Sequence, residues 1–368
     1  MGMNMYKCES ESCNHVEYRY ASCKNRACSV CSWLPREKWK MQRANDMIPD
    51  TAYYHDVFTI PYELSRVAAQ NQIEVQTLLF KCVSETLKSF EESHCMGGKI
   101  GFTLLLHTWS TRMLDHYHIH AILPGGYLLN GKWKELRKYM FPAKALAELF
   151  RNKFCSGMRS LYRRGLLKFH GDLAVLSDMQ VWDAYMDRNY RRKWHVHTEP
   201  TRGTDPGRLI GYLSNYVYKT AIDHSRIVSV SEKEVVYNYR SHEDGERGNW
   251  NSMALSPSEF LRRFAKHIQP KKFTRIRYYG ILAGGVKKSR LSAIFGQKGK
   301  EYEGKNQRIH RSSCETILGQ SGNVNLMKCP KCGCAMLSMW EMERRRSSHG
   351  PPVPDGFNSN GLETNLCA

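Results

Sequence analysis

The stretch Asp115-His116-Tyr117-His118-Ile119-His120-Ala121-Ile122-Leu123-Pro124-Gly125-Gly126 carries three alternating histidines. On a strand successive side chains point to opposite faces, so His116, His118 and His120 share one side. Imidazoles two residues apart stand about 6.6 Å apart along the backbone and can converge on one divalent ion; His116 and His120, about 13 Å apart, cannot. The pairs open to a metal are 116/118 and 118/120, and spacing alone does not choose between them. His195-Val196-His197 has the same form. A third ligand has candidates in His107, His116, His195 and His197. About ninety residues downstream, Gly211-Tyr212-Leu213-Ser214-Asn215-Tyr216-Val217-Tyr218 places Tyr212 and Tyr216 one helical turn apart on one face. Tyr218 points elsewhere. A phenol oxygen can attack a phosphate in line to form a covalent ester, and a divalent ion polarises that phosphate. Cleavage of one DNA strand by tyrosine is the chemistry that joins the two segments. It requires no activated water and no carboxylate base.

The cysteines offer a second kind of chemistry. There are thirteen, an odd number, clustered toward both ends, which does not resemble a secreted disulfide framework. The run Cys8-x4-Cys13-x9-Cys23-x4-Cys28-x2-Cys31 supplies thiolates for a tetrahedral zinc site, with the Cys28/Cys31 pair at knuckle spacing. Cys8, Cys13, Cys28 and Cys31 are the expected ligands, with Cys23 and His15 as competitors. Cys329-Pro330-Lys331-Cys332-Gly333-Cys334 reads as half of a second knuckle, whose missing half would be Cys314, a histidine or Cys367. Cys82, Cys95 and Cys155 sit in apolar patterns and read as buried thiols.

The 368 residues carry 55 Lys and Arg against 35 Asp and Glu, a formal net charge of +20. That excess is the footprint of a nucleic-acid binder. Lys24, Arg26, Arg36, Lys38 and Lys40 surround the first cysteine cluster, where phosphate contact is expected. There is no apolar run long enough to span a bilayer, and the first twenty residues lack a secretory apolar stretch. The expected location is cytoplasmic, at the nucleoid when bound to DNA, with no membrane partner.

The elements that must position these residues are legible in part. Tyr53 to Pro61 reads as a strand stopped by proline. Val75, Leu79, Val83, Leu87 and Phe90 give helical spacing within 63–91. Ile100 to Trp109 is a second strand, and His116 to Leu123 returns as a third. Helix is expected over 141–167 and from Arg208 to about Ala221. Trp194 to Glu199 reads as a strand, and Ile227 to Tyr239 as a hairpin turning near Ser231-Glu232-Lys233. Ser256 or Ser258 caps a basic helix ending near Ile268. Gly284 to Lys288 reads as a basic turn or linker.

Several motifs occur together in a fixed order. They are Ser22-Cys23-Lys24-Asn25-Arg26-Ala27-Cys28, Val57-Phe58-Thr59-Ile60-Pro61-Tyr62-Glu63-Leu64 and Leu106-His107-Thr108-Trp109. They continue with His118-Ile119-His120 before Pro124-Gly125-Gly126, Tyr212-Leu213-Ser214-Asn215-Tyr216, Ala221-Ile222 and Arg275-Ile276-Arg277-Tyr278-Tyr279-Gly280. In this order, over Cys8 to Leu282, the chain resembles the rolling-circle insertion-sequence transposases, the two-tyrosine HUH (histidine–hydrophobic–histidine) group typified by insertion sequence ninety-one. The resemblance implies an α+β fold: an HUH-endonuclease-like central antiparallel sheet with flanking helices, plus a small N-terminal zinc-binding module. It selects His118 and His120 as ligands of a catalytic magnesium or manganese ion, and Tyr212 and Tyr216 as nucleophiles. It implies a single-strand endonuclease and strand transferase acting on hairpin-bearing element ends. The chain departs from the family's pattern in the wide Cys8/Cys13 spacing and in Ala27-Cys28-Ser29-Val30-Cys31-Ser32. Nothing resembles a fused helicase, so a host helicase is an expected partner.

The expected organisation is a zinc module over 1–48 and a nuclease domain over 49–245 with a helical insertion near 141–167. A basic helical segment follows over 246–300, then a possible second metal knuckle over 301–344 and a disordered tail over 345–368. The competing readings are a replication initiator or relaxase with the same chemistry, and a non-catalytic zinc-dependent DNA-binding protein. The oligomeric state is not legible.

Overall fold

A computed structural model describes residues 3–20, 22–136, 141–201, 210, 211, 214, 216–241, 249–304, 328–334 and 336–341. The chain divides into two compact units. One comprises described residues within 1–43, 218–224 and 305–368, the other those within 44–217 and 225–304.

The larger unit is α+β, built on a five-stranded antiparallel sheet. In chain order its elements are β3 (Tyr53–Thr59), α2 (Tyr62–Gln70), α3 (Gln72–His94), β4 (Gly101–Trp109) and β5 (Asp115–Pro124), following β1 (Met3–Cys8), β2 (Val16–Tyr20) and α1 (Trp33–Ala44). A hairpin of β6 (Gly126–Leu129) and β7 (Lys132–Glu135) precedes α4 (Ala143–Arg163), α5 (Met179–Arg191) and β8 (Val196–Pro200). Then come β9 (Ile227–Val230), β10 (Val235–Arg240), β11 (Trp250–Leu255), α6 (Pro257–Lys266), β12 (Ile276–Gly280) and α7 (Lys287–Gln297). The main sheet runs β12-β4-β5-β3-β8. β4 is buried throughout, as expected of a central strand.

The alternation of β5 divides the sheet into two chemically different faces. Tyr117, Ile119, Ala121 and Leu123 join Phe58, Phe102, Leu104 and Leu106 in the main core. α3 and α4 cover this face with Val75, Leu79, Phe80, Val83, Phe150, Phe154 and Met158. Phe150 stands edge-on to Phe58 at 5.3 Å and to Trp194 at 5.4 Å. α4 thus packs Leu146, Phe150, Phe154 and Met158 into the main core. Cys82, Cys95 and Cys155 are buried here, and burial pushes their thiols up to about 12, 11 and 11.

The stretch read as one helix over 63–91 is two, broken at Asn71. Its side chain donates to the Val67 and Lys168 carbonyls and accepts the Lys168 N–H. Ser256 caps α6 by accepting the Glu259 N–H at 3.3 Å. β11 pairs with β10, which turns the expected hairpin into a three-stranded sheet.

The segment 246–300 is not a separate helical piece, as the sequence suggested: β12 forms the edge of the main sheet beside β4. β12 ends on Gly280 at φ +60°. A Cβ at this position would run into the Ile100 carbonyl oxygen, which already accepts the Ile281 N–H at 3.0 Å. Gly280→Ala is expected to lower the free energy of unfolding by about 1–3 kcal/mol. Urea denaturation reads this, and an unchanged midpoint would show that the junction gives way freely.

The smaller unit holds a three-stranded sheet, ordered β13-β1-β2, and α1 (Trp33–Ala44). β1 (Met3–Cys8) pairs antiparallel with β2 (Val16–Tyr20) on one side. On the other it pairs antiparallel with β13 (Met336–Glu341). Among the described residues no helix is long and apolar enough to cross a membrane. The tail expected over 345–368 lies outside the described residues.

Candidate functional site

The polar face of the main sheet is set by strand register. His107 on β4 pairs with His118 on β5, Val57 on β3 pairs with His120, and His55 on β3 pairs with Glu199 on β8. Directly paired residues of an antiparallel ladder share a face. The register therefore gathers His55, His107, His118, His120 and Glu199 opposite the apolar core. All four of these histidines are buried.

His107, His118 and His120 form one group whose ligand atoms lie within 4.8 Å of one another. Nε2 of His120 is 3.1 Å from Nδ1 of His107. Two like nitrogens at that distance match adjacent ligands of a six-coordinate ion, which stand about 3 Å apart when the bonds are about 2.1 Å. Hydrogen bonds to the remaining ring nitrogens set compatible tautomers. His107 donates from Nε2 to the Tyr216 carbonyl at 2.6 Å, so its lone pair is on Nδ1. His118 donates from Nδ1 to the His116 carbonyl at 3.1 Å, so its lone pair is on Nε2. Nδ1 of His120 faces Nε2 of His55 at 2.8 Å, and Nδ1 of His55 faces Oε1 of Glu199 at 3.2 Å. With the Glu199 carboxylate accepting from His55, and His55 accepting from His120, the His120 lone pair also falls on Nε2. Burial holds His55 below the usual imidazole range, opposed by Glu199, which favours the neutral ring this chain of hydrogen bonds needs.

Of the candidates for a third ligand, the structure joins His107 to the pair. His116 stays outside the group, its ring 4.9 Å from that of His118. Burial holds His116 low as well. His195 and His197 are exposed, and His197 lies 3.5 Å from Glu199. His55 and Glu199 were not singled out in the sequence. The alternation His55-x-Val57-x-Thr59 was visible, but not the register that sets it against His120.

Tyr216 lies against this cluster in a helical stretch that includes Ile210, Gly211 and Val217. Its ring is 4.7 Å from that of His120, 5.1 Å from His55 and 6.4 Å from His107. One hydrogen bond, from His107 to the Tyr216 carbonyl, thus ties a candidate ligand to the backbone of a candidate nucleophile. Tyr212 lies outside the described residues.

The cysteines are arranged differently from the expectation. Cys8, Cys13, Cys28 and Cys31 do not form one set: Cys8 and Cys13 group with Cys329 and Cys332, whereas Cys28 and Cys31 group with Cys23. The cause is β13, whose pairing with β1 carries the distant knuckle to Cys8. Cys314 and Cys367, considered as the missing half of that knuckle, lie outside the described residues. In the second group the Cys23 and Cys31 sulfurs are 3.3 Å apart, and the Cys31 N–H points at the Cys28 sulfur. Burial opposes ionisation of Cys31, but hydrogen bonds from Ser22, Cys23 and Cys28 bring its thiol down to about 7. At Cys329 burial is likewise overcome, by the backbone N–H groups of Cys332 and Lys331, and the thiol falls to about 7. Their neighbours Cys28 and Cys8 are pushed up by burial, to about 11 and about 12, so in each group one thiol supplies thiolate near neutral pH ahead of the others.

Comparison with known proteins adds a family. Residues 101–290 match the profile of a family described as "Putative transposase", and residues 1–60 match one described as "Transposase zinc-binding domain". The chain is 30% identical over 330 residues to the "Putative transposase y4qJ" of Sinorhizobium fredii, covering 88% of this chain and 81% of that one. It is 26% identical over 344 residues to the transposase for insertion sequence element IS801 of Pseudomonas savastanoi pv. phaseolicola, covering 92% and 79%. No solved structure matches. The match over residues 1–60 and the cysteine clusters support structural zinc.

Proposed function

Because the chain belongs to the transposase family typified by insertion sequence ninety-one, we propose that it nicks and rejoins single-stranded element ends through tyrosine-linked DNA in rolling-circle-type transposition. The observation that carries this reading is the convergence of His107, His118 and His120 beside Tyr216. His107, His118 and His120 would hold a divalent ion, magnesium or manganese, which when bound would polarise and orient the scissile phosphate. Of the two, manganese suits imidazole nitrogen better.

The phenol oxygen of Tyr216 attacks phosphorus in line. The phenol gives up its proton as a P–O bond to tyrosine forms and the bond to the deoxyribose 3′ oxygen breaks, and that oxygen takes up a proton to leave as a 3′ hydroxyl, so no proton is consumed overall. The 5′ end stays on the tyrosine, so rejoining needs only attack by another 3′ hydroxyl. Tyr212, four residues earlier in the sequence, is the second nucleophile, which lets two strands be held at once. The His107 hydrogen bond to the Tyr216 carbonyl holds the Tyr216 backbone beside the histidines. The histidine cluster favours a catalyst over a DNA-binding protein, since buried convergent imidazoles contribute nothing to phosphate contact at the surface. Hairpin-bearing ends are the proposed substrate and a host helicase the proposed partner.

The test is cleavage of labelled oligonucleotides carrying the element's own ends. Cutting of the single strand that needs manganese or magnesium and leaves a free 3′ hydroxyl supports the reading. Tight binding without cleavage on the correct ends would favour the non-catalytic one.

The relay behind His120 gives a separate prediction. Glu199→Gln removes the carboxylate that orients His55, and the affinity for manganese is expected to fall about 10–100-fold. Calorimetric titration of the protein without DNA measures this. Unchanged affinity would mean that His120 is oriented without the relay.

A further inference from the structure

We infer that Cys8, Cys13, Cys329 and Cys332 form one complete zinc site, a clamp between two segments more than 300 residues apart. The match to the zinc-binding family ends at residue 60, so it leaves Cys329 and Cys332 unassigned. All four sulfurs lie within 4.8 Å of one another. Cys8 and Cys332 are 3.3 Å apart and Cys13 and Cys329 3.7 Å. Tetrahedral zinc with bonds of about 2.3 Å to sulfur sets an edge of about 3.8 Å, which the Cys13–Cys329 pair matches and the Cys8–Cys332 pair reaches by opening about half an ångström. No side-chain nitrogen or carboxylate is needed to complete the set.

The backbone on each side is shaped for the task. In the 329–334 turn the Gly333 N–H donates to the Cys329 carbonyl at 2.8 Å, and the Cys329 N–H to the Cys334 carbonyl at 2.7 Å. Gly333 takes φ +76°, a left-handed conformation that a side chain would resist. The turn spends the Cys334 backbone as an acceptor and leaves its sulfur out of the group. On the other side the Cys8 N–H donates to the His15 carbonyl at 3.0 Å, and the Cys13 N–H to the Ser10 carbonyl at 3.0 Å, which curls the 9–15 loop. Beyond the turn the chain runs back along β1, with Cys8 opposite Met336 and Lys7 opposite Leu337. The ion would therefore staple β13 to the β1–β2 hairpin. This accounts for a single compact unit made of residues so far apart in sequence. Among the described residues the apolar cover around these sulfurs is slight, with Tyr6 and the cysteines themselves, so a metal supplies the cohesion that a core would.

The experiment reads metal and thiols, and does not depend on cleavage. Zinc per chain is measured on the full-length protein alongside the alkylation rate of each cysteine by peptide mass spectrometry. Cys329→Ser/Cys332→Ser is expected to hold one zinc fewer than the parent. Its Cys8 and Cys13 should alkylate at least tenfold faster, while Cys23, Cys28 and Cys31 keep their rates. Those three serve as the internal gauge of folding. Cys334→Ser should keep the parent's zinc and rates. Cys332→His, loaded with cobalt, should retain a tetrahedral spectrum with weaker sulfur charge transfer. Full zinc and protected Cys8 and Cys13 in the double variant would overturn the proposal in favour of one site from Cys8, Cys13, Cys28 and Cys31. Loss of zinc from Cys334→Ser, or loss of protection at all five N-terminal cysteines in the double variant and in Cys332→His, would also overturn it.

Discussion

The double variant Tyr212→Phe/Tyr216→Phe is expected to cleave its single-stranded ends at less than about one-thousandth of the parent rate, since the nucleophile itself is gone. The ring stays, so the packing of Tyr216 against His120 and His55 should survive. The fold, the manganese affinity and the binding of uncut DNA should all be near the parent's. The single variants should separate the steps. With only one phenol left, a first nick can still form, but a second strand cannot be held while the first remains attached. Cleavage of one end should persist in at least one single variant, while joining of two ends fails in both. Denaturing gels of single-turnover reactions distinguish these outcomes. A double variant that still cuts would transfer the role to another residue, with Tyr218 the first to test.

His107→Ala should be nearly as severe. It removes one of the three convergent nitrogens, and with it the hydrogen bond to the Tyr216 carbonyl. Loss of an outer-shell partner costs about 10–100-fold in metal affinity or activity, so loss of a direct ligand should cost at least about a hundredfold. The two effects can be told apart by raising manganese. Saturating metal restores the part of the rate lost through affinity. The part lost through misplacement of Tyr216 remains. His195→Ala and His197→Ala, in contrast, remove exposed side chains outside the group, and manganese affinity should be unaffected. Parent-like affinity in His107→Ala would remove His107 from the centre and reopen the choice of a third ligand.

The elements around the site were largely legible from local pattern. The strands flanking His107 and His118, the core stripe of α3 and the cap at Ser256 all follow from short-range periodicity and turn chemistry. Long-range register was not legible, and it governs what the sequence reading missed. His107 meets His118 because β4 and β5 pair with those residues opposite, and Glu199 meets His55 for the same reason on β3 and β8. Nothing in either strand alone encodes that register. The cysteines make the same point more sharply. Proximity in sequence favoured Cys28 and Cys31 as partners of Cys8 and Cys13, but β13 brings Cys329 and Cys332 instead. α5 was missed although its signal was present: Asp178 accepts the Gln180 and Val181 N–H groups as an N-cap, and Trp182 and Met186 follow at helical spacing. Arg275 to Gly280 falls within the expected basic helical segment, but its alternation makes it a strand. As β12 it pairs along β4 from Leu105 to Gly101.

Tyrosine nicking at a histidine-held ion is tested most directly by trapping the joined product. The full-length protein is incubated with manganese and a single-stranded oligonucleotide carrying its own element end, denatured, digested, and read by peptide mass spectrometry. A nucleotide on Tyr216 or Tyr212 that disappears in His118→Ala is the expected result. Cleavage with no nucleotide on either tyrosine, or an adduct that persists in His118→Ala at the parent's level, would contradict it.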